Sequence, residues 1–99
     1  MNNTYSFIMD FRGGTYISQA TASTLKKAIE FWLKDLNINE IQYLSNKSKE
    51  YLIKNQSELF EFLNSIDTVQ NIWITSFSFK TGTAIIHIIK TDISNEPIN

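Results

Sequence analysis

Cysteine is absent from the 99 residues, proline occurs once, and histidine once. The missing thiols exclude disulfides, thiolate zinc sites and cysteine nucleophiles, and they permit a reducing compartment. With His87 as the sole imidazole, a metal site would have to rest on carboxylates, and no pair of these is spaced for one. No cofactor is therefore expected. Neither sign of charge dominates, since nine Lys and Arg stand against ten Asp and Glu for a net charge of -1. Nucleic-acid domains carry a basic stripe that neutralises several phosphates. Here Lys47, Lys49 and Lys54 come closest and are diluted by Glu50 and Glu58, the pattern of a solvated helix face, so no nucleic-acid partner is expected.

Long apolar runs are also missing, and none approaches the ~20 residues of a membrane helix. Met1 to Ser6 are polar with no basic segment ahead of an apolar one, so no secretory leader and no membrane association are expected. The cytoplasm is the default location. Hydrophobic residues make up 42% of the chain and aromatic residues 13%, enough to build one core and too many for intrinsic disorder. The length allows one domain, expected over residues 1–91. Residues 92–99 hold the only proline and little to bury, and are expected to form a flexible C-terminal tail.

Tyr5, Phe7, Met9 and Phe11 alternate with Ser6, Asp10 and Arg12, a period-two pattern with the aromatic side toward a core. Gly13-Gly14 follows and Thr15 to Gln19 resumes strand-favouring chemistry, which predicts a hairpin with the two glycines as its turn. That turn sets Phe11 opposite Tyr16 and Met9 opposite Ser18, keeping the aromatics on one face. Thr21 or Ser23 then offers a cap to a helix whose buried stripe is Leu25, Ala28, Ile29, Trp32, Leu33 and Leu36, with Asn37 as a stop. Ile41 and Leu44 fit a short helix or a short strand. A second helix is predicted over Ser48 to Lys54 and a third from a capping Ser57, with Glu58 favourably placed in its first turn. After a polar connector over 67–71, Ile72 to Phe79 and Thr83 to Ile89 predict a second hairpin across a Lys80-Thr81-Gly82 loop. The expected fold is α+β: a four-stranded, mainly antiparallel sheet from two hairpins in ββααββ order, with helices packed on one face.

Candidate sites are few. Glu58 and Glu61 lie three apart on a helix and could bridge a cation, yet such pairs are usually a hydrated surface. His87, within Ile-Ile-His-Ile-Ile, reads more readily as a hydrogen-bonded histidine on the less buried face of a sheet than as a proton shuttle, because no partner residue is evident. Gly13-Gly14 lacks the Lys and Ser/Thr of a phosphate loop and joins strand to strand. No nucleophile elbow occurs, and the chain is not expected to be an enzyme. Asp10 and Arg12, with Thr15 and Gln19 across from them, form a polar set suited to recognition or to a surface salt bridge. The second hairpin is the sharper anomaly. Ile85, Ile86, Ile88 and Ile89 make its last strand apolar on both faces, as in strands buried on both sides. Helices can cover one face, and the face near Ile72, Ile74, Ile86 and Ile88 is expected to need another cover: a loop or the tail, a second copy of the chain, or a partner protein.

The run Phe11-Arg12-Gly13-Gly14-Thr15-Tyr16-Ile17-Ser18-Gln19, with Asn71-Ile72-Trp73 and Ile88-Ile89-Lys90-Thr91, resembles small bacterial proteins of hairpin-helix-hairpin layout, some similar to immunity proteins encoded beside toxins. The resemblance rests on a glycine turn and a strand-end Lys-Thr. It carries no catalytic residue and implies action by binding another protein. The function expected is a non-enzymatic protein-binding module of immunity or regulatory type, using Asp10, Arg12 and Gln19 or the apolar second hairpin. The alternative is a small-molecule pocket between sheet and helices lined by Tyr16, Trp32 and Trp73.

Overall fold

The computed structural model describes residues 2–66 and 69–91. The expected tail over 92–99, and Asp67 in the connector, lie outside the described residues. The first hairpin is β1 (Asn3–Phe11) and β2 (Gly14–Ala22), and the helices are α1 (Leu25–Asp35), α2 (Asn46–Lys54) and α3 (Ser57–Glu61). A two-residue strand, β3 (Asn64–Ser65), precedes the second hairpin of β4 (Ile72–Phe79) and β5 (Gly82–Thr91). The sheet is antiparallel throughout, in the order β2-β1-β5-β4-β3. It has five strands where four are expected. Asn64-Ser65 is too short to give an alternating pattern, so its pairing with Ile74 and Trp73 leaves no mark in the sequence.

Turn geometry sets the first register. Arg12 and Gly13 take φ of 48° and 82°, so they, and not Gly13-Gly14, are the central residues of a primed turn. Phe11 therefore faces Gly14 and Met9 faces Tyr16. The pairing moves by two residues from the expected one, which leaves every side chain on its expected face. Gly14 is needed for a different reason, because a Cβ there would lie 2.6 Å from the Tyr16 hydroxyl folded over it. In the second hairpin the turn is Lys80-Thr81 alone, with Phe79 opposite Gly82.

Helix α1 begins one turn-residue later than expected. Strand β2 continues through Ala22, and the Thr24 side chain accepts from Lys27 N at 3.2 Å as the cap. Ala28, Ile29, Trp32 and Leu33 face the sheet, and Trp32 stacks on Phe7 with ring centroids 4.9 Å apart. Ser45 caps α2 from outside, whereas Gln56 precedes α3 with no side-chain cap and Ser57 is the first helical residue. Lys49 on α2 is not merely solvated: its amine donates to the Lys34 and Leu36 carbonyls at 2.9 and 2.8 Å, filling orphan acceptors at the end of α1. Buried Thr75 on β4 donates to the Leu59 carbonyl at 2.7 Å and ties α3 to the sheet. Ile41 and Leu44 are buried in turns, neither helix nor strand.

All three helices cover one face. Its side chains are Tyr5, Phe7, Met9 and Phe11 from β1, Ala84, Ile86 and Ile88 from β5, and Phe77 from β4, all buried in one cluster with α1, Leu52 and Leu59. No described helix is long and apolar enough to cross a membrane.

Candidate functional site

The other face of the sheet is open. Alternation along the strands places Thr15, Ile17, Gln19 and Thr21 of β2 there, with Thr4, Ser6, Ile8 and Asp10 of β1 beside them. Strands β5 and β4 add Thr83, Ile85, His87, Ile89, Ile72, Ile74, Ser76 and Ser78. A central row runs Ile17, Ile8, His87, Ile74 across four strands, and Ile89 with Ile72 flanks it on one side and Ile85 on the other. Phe62, 55% exposed, turns over the β3 edge and shares a depression of about 340 Å³ with Ile74 and Ile85. Ile17 is 71% exposed and Ile85 42%.

The chemistry of this face is distinctive for what it omits. Across the described residues it carries one carboxylate, Asp10, and no lysine or arginine. Solvated sheet faces normally alternate charged side chains into water, whereas the centres of protein interfaces are depleted in charge and rimmed by neutral polar groups. Here isoleucines occupy the centre, and Thr, Ser and Gln the rim. The four long strands give a planar footprint of roughly 500 Å², taking ~4.8 Å between strands and ~3.3 Å per residue. The six isoleucines take up only the central part of that footprint, with neutral polar side chains around them.

The expected recognition residues separate on this framework. Asp10 accepts from Thr15 Oγ1 at 2.7 Å, because the two-residue move of the register brings Thr15 opposite Asp10 instead of Arg12. Gln19 pairs with Ser6 instead, donating to its Oγ at 3.0 Å. Arg12 does not share a face with Asp10, because it belongs to the turn. Its guanidinium donates to the Thr81 carbonyl and lies 4.1 Å over the Tyr43 ring, while Thr81 Oγ1 donates to the Tyr43 carbonyl at 3.3 Å. Arg12 thus clasps two hairpin tips and the 37–45 loop together. Ile72 and Ile74 stand on the open face as expected. Ile86 and Ile88 do not: each is 1% exposed beneath the helices, so neither is available to a partner. The residues that take their place are Ile85 and Ile89, with Ile8 and Ile17, which sequence reasoning passed over. The signal was His87, the one polar residue inside the run Ile85 to Ile89, whose alternate set faces out.

His87 lies on the less buried face, between Ile8 and Ile74 across the strands, and no side-chain hydrogen bond holds it among the described residues. No described group of three His, Asp or Glu residues could hold a metal ion. On the helical side a groove of about 430 Å³ runs between β2 and the end of α1. Tyr16 and Trp32 line it, but Trp73 does not, packing instead against Tyr5 at 6.3 Å between ring centroids. No family model, curated protein or solved structure matches this chain. Of the surfaces described above, the open face is the one with isoleucines at its centre and a single carboxylate, Asp10.

Proposed function

We propose that the chain is a non-enzymatic protein-binding module, of immunity or regulatory type, that acts by docking the open sheet face on a partner protein. The supporting observation is the composition of that face: Ile8, Ile17, Ile72, Ile74, Ile85 and Ile89 around His87, with Asp10 as its one carboxylate among the described residues. Such a surface contributes affinity by desolvating aliphatic area and offers little electrostatic steering. The occupant it suits is an apolar patch on another protein, edged by neutral hydrogen-bonding groups that meet Ser6, Gln19, Ser76 and Thr83. The hairpin-helix-hairpin resemblance agrees with this reading, since it implies action by binding.

The test is capture of proteins encoded in the chain's own genomic neighbourhood by the tagged chain and by its Ile85→Lys and Ile89→Lys variants. Capture by the parent chain that both variants lose, with melting temperatures unchanged, is the expected result. A parent chain that captures none of those proteins overturns the proposal. Self-association lost in the same variants would replace the partner with a second copy. A small-molecule reading has one observation behind it, the groove beside Tyr16 and Trp32. A thermal shift across a metabolite panel would favour it.

A further inference from the structure

The two lateral edges of the sheet are finished differently. At one, β3 is two residues long. At the other, β2 runs for nine residues with no charge, no proline and an unbroken register to β1 from Ala22 to Gly14. Proteins protect sheet edges by brevity, charge, proline or a bulge. Strand β3 uses brevity, and β2 uses none of these devices. Helix α1 packs on β2 and Ala20 and Ala22 are buried, but Thr15, Ile17, Ser18 and Gln19 stay exposed.

Closure of the hairpin at Phe11 and Gly14 fixes which backbone groups are spare. In an antiparallel ladder hydrogen-bonded pairs alternate, so Gly14, Tyr16, Ser18 and Ala20 bond to β1, and Thr15, Ile17, Gln19 and Thr21 turn their N–H and C=O outward. No described residue outside the hairpin bonds to those outward groups. The groove lies directly beside them. Met9, Trp32, Leu36 and Ile41 supply its apolar lining, Asp35 and Glu40 its carboxylates, and no cation lines it among the described residues. Asp35 ends α1, where the partial negative charge of the helix terminus disfavours a carboxylate. The Lys49 amine at that terminus is committed to the Lys34 and Leu36 carbonyls and does not line the groove.

We infer that β2 accepts an extended segment of a partner protein as an added strand, with a lysine or arginine of that segment laid in the groove. Main-chain bonds to Thr15, Ile17, Gln19 and Thr21 give affinity, as in other strand-addition sites. The groove selects the side chain, since an aliphatic stem over Trp32 and Leu36 with a cationic tip toward Asp35 and Glu40 is the amphipathic build of lysine and arginine. A second copy of β2 fits less well, because β2 holds no cation for the groove. The inference rests on the protein-binding reading but uses the backbone edge of β2 and the groove on the helical side, not the side chains of the open face, so the two can fail separately.

The experiment is selection of a randomised octapeptide library, displayed on phage, against the immobilised chain. Enriched peptides should share a Lys or Arg at one position. A synthetic copy of one should slow amide exchange at Ile17 and Gln19, and its affinity should fall at least tenfold in Ile17→Pro. Proline there removes an N–H that β1 does not use, so the fold should survive, as circular dichroism would verify. The paired Asp35→Asn and Glu40→Gln variant should give a similar loss without touching the strand. Enrichment without a basic preference, no enrichment, or binding indifferent to these variants overturns the inference. So does protection of Ile17 and Gln19 that rises with chain concentration in the absence of peptide, which would assign the edge to a second copy. Ile85→Lys should leave peptide binding unchanged while abolishing capture through the open face, which distinguishes failure of one proposal from failure of the other.

Discussion

Ile86 and Ile88 face one side of β5, and Ile85 and Ile89 face the other. They are the same residue type in the same strand, yet the first pair is buried and the second is not. The difference is cover. Ile86 and Ile88 belong to the core cluster that the helices close, whereas no helix covers the face that carries Ile85 and Ile89. Burial of an aliphatic side chain is worth about 1.5–3 kcal/mol, so stability is concentrated on the helical face, and the open face holds apolar area not yet removed from water. Stability and the proposed docking surface thereby occupy opposite faces of one sheet, and substitutions should separate them.

The largest effect is expected at Phe7, fully buried and stacked on Trp32. Phe7→Ala should cost about 3–5 kcal/mol, read from the urea midpoint. Within β5 the contrast becomes direct: Ile88→Ala should cost about 2–5 kcal/mol and Ile85→Ala less than about 1 kcal/mol. Equal losses at the two positions would break the comparison and imply that the open face is covered in the free chain. Thr75→Val keeps the shape but strips the donor from the Leu59 carbonyl, and should cost about 1–2 kcal/mol in the same measurement. Thr24→Ala removes the cap of α1 and should cost about 1 kcal/mol, with helicity lost by circular dichroism. At Ile17 the effect on stability should be smallest. Ile17→Lys is expected within about 0.5 kcal/mol of the parent, with solubility raised.

Much of this architecture was legible because local patterns and tertiary packing agree. The apolar stripe of Leu25 to Leu36 has one consistent face, and β1 separates aromatic from polar residues at period two. Legibility failed where one pattern served two outcomes. With Ile on both sides of β5, periodicity defines two sets but not which set meets the helices. That choice is made by β1, whose Phe7 and Met9 pair with Ile88 and Ile86 and carry them to the core face. The glycine pair predicts a turn one residue later than the one that forms, because positive φ favours glycine at both central positions. Arg12 adopts the positive φ, held by the Thr81 carbonyl and the Tyr43 ring, contacts distant in sequence. Of the candidate residues, Asp10, Gln19, Ile72 and Ile74 lie on the open face, whereas Arg12 lies in the turn and Ile86 and Ile88 beneath the helices. The edge of β2 was invisible for a simpler reason: strand order is a tertiary fact, and no property of Gly14 to Ala22 says that it stands last in the sheet.

The centre of the sheet is the seam between β1 and β5, the first and last strands described, with Thr4 beside Thr91 and Asp10 beside Ile85. Each hairpin can close on its own within microseconds, but the seam joins residues up to 87 positions apart. During synthesis the first hairpin must therefore wait for β5 to emerge before its inner edge finds a mate. In that interval β1 has an unpaired edge that another nascent copy could fill with its own β5. Exchange of the amino-terminal hairpin between two chains is consequently the misassembly to which this topology is most exposed, and slow synthesis or crowded ribosomes would favour it.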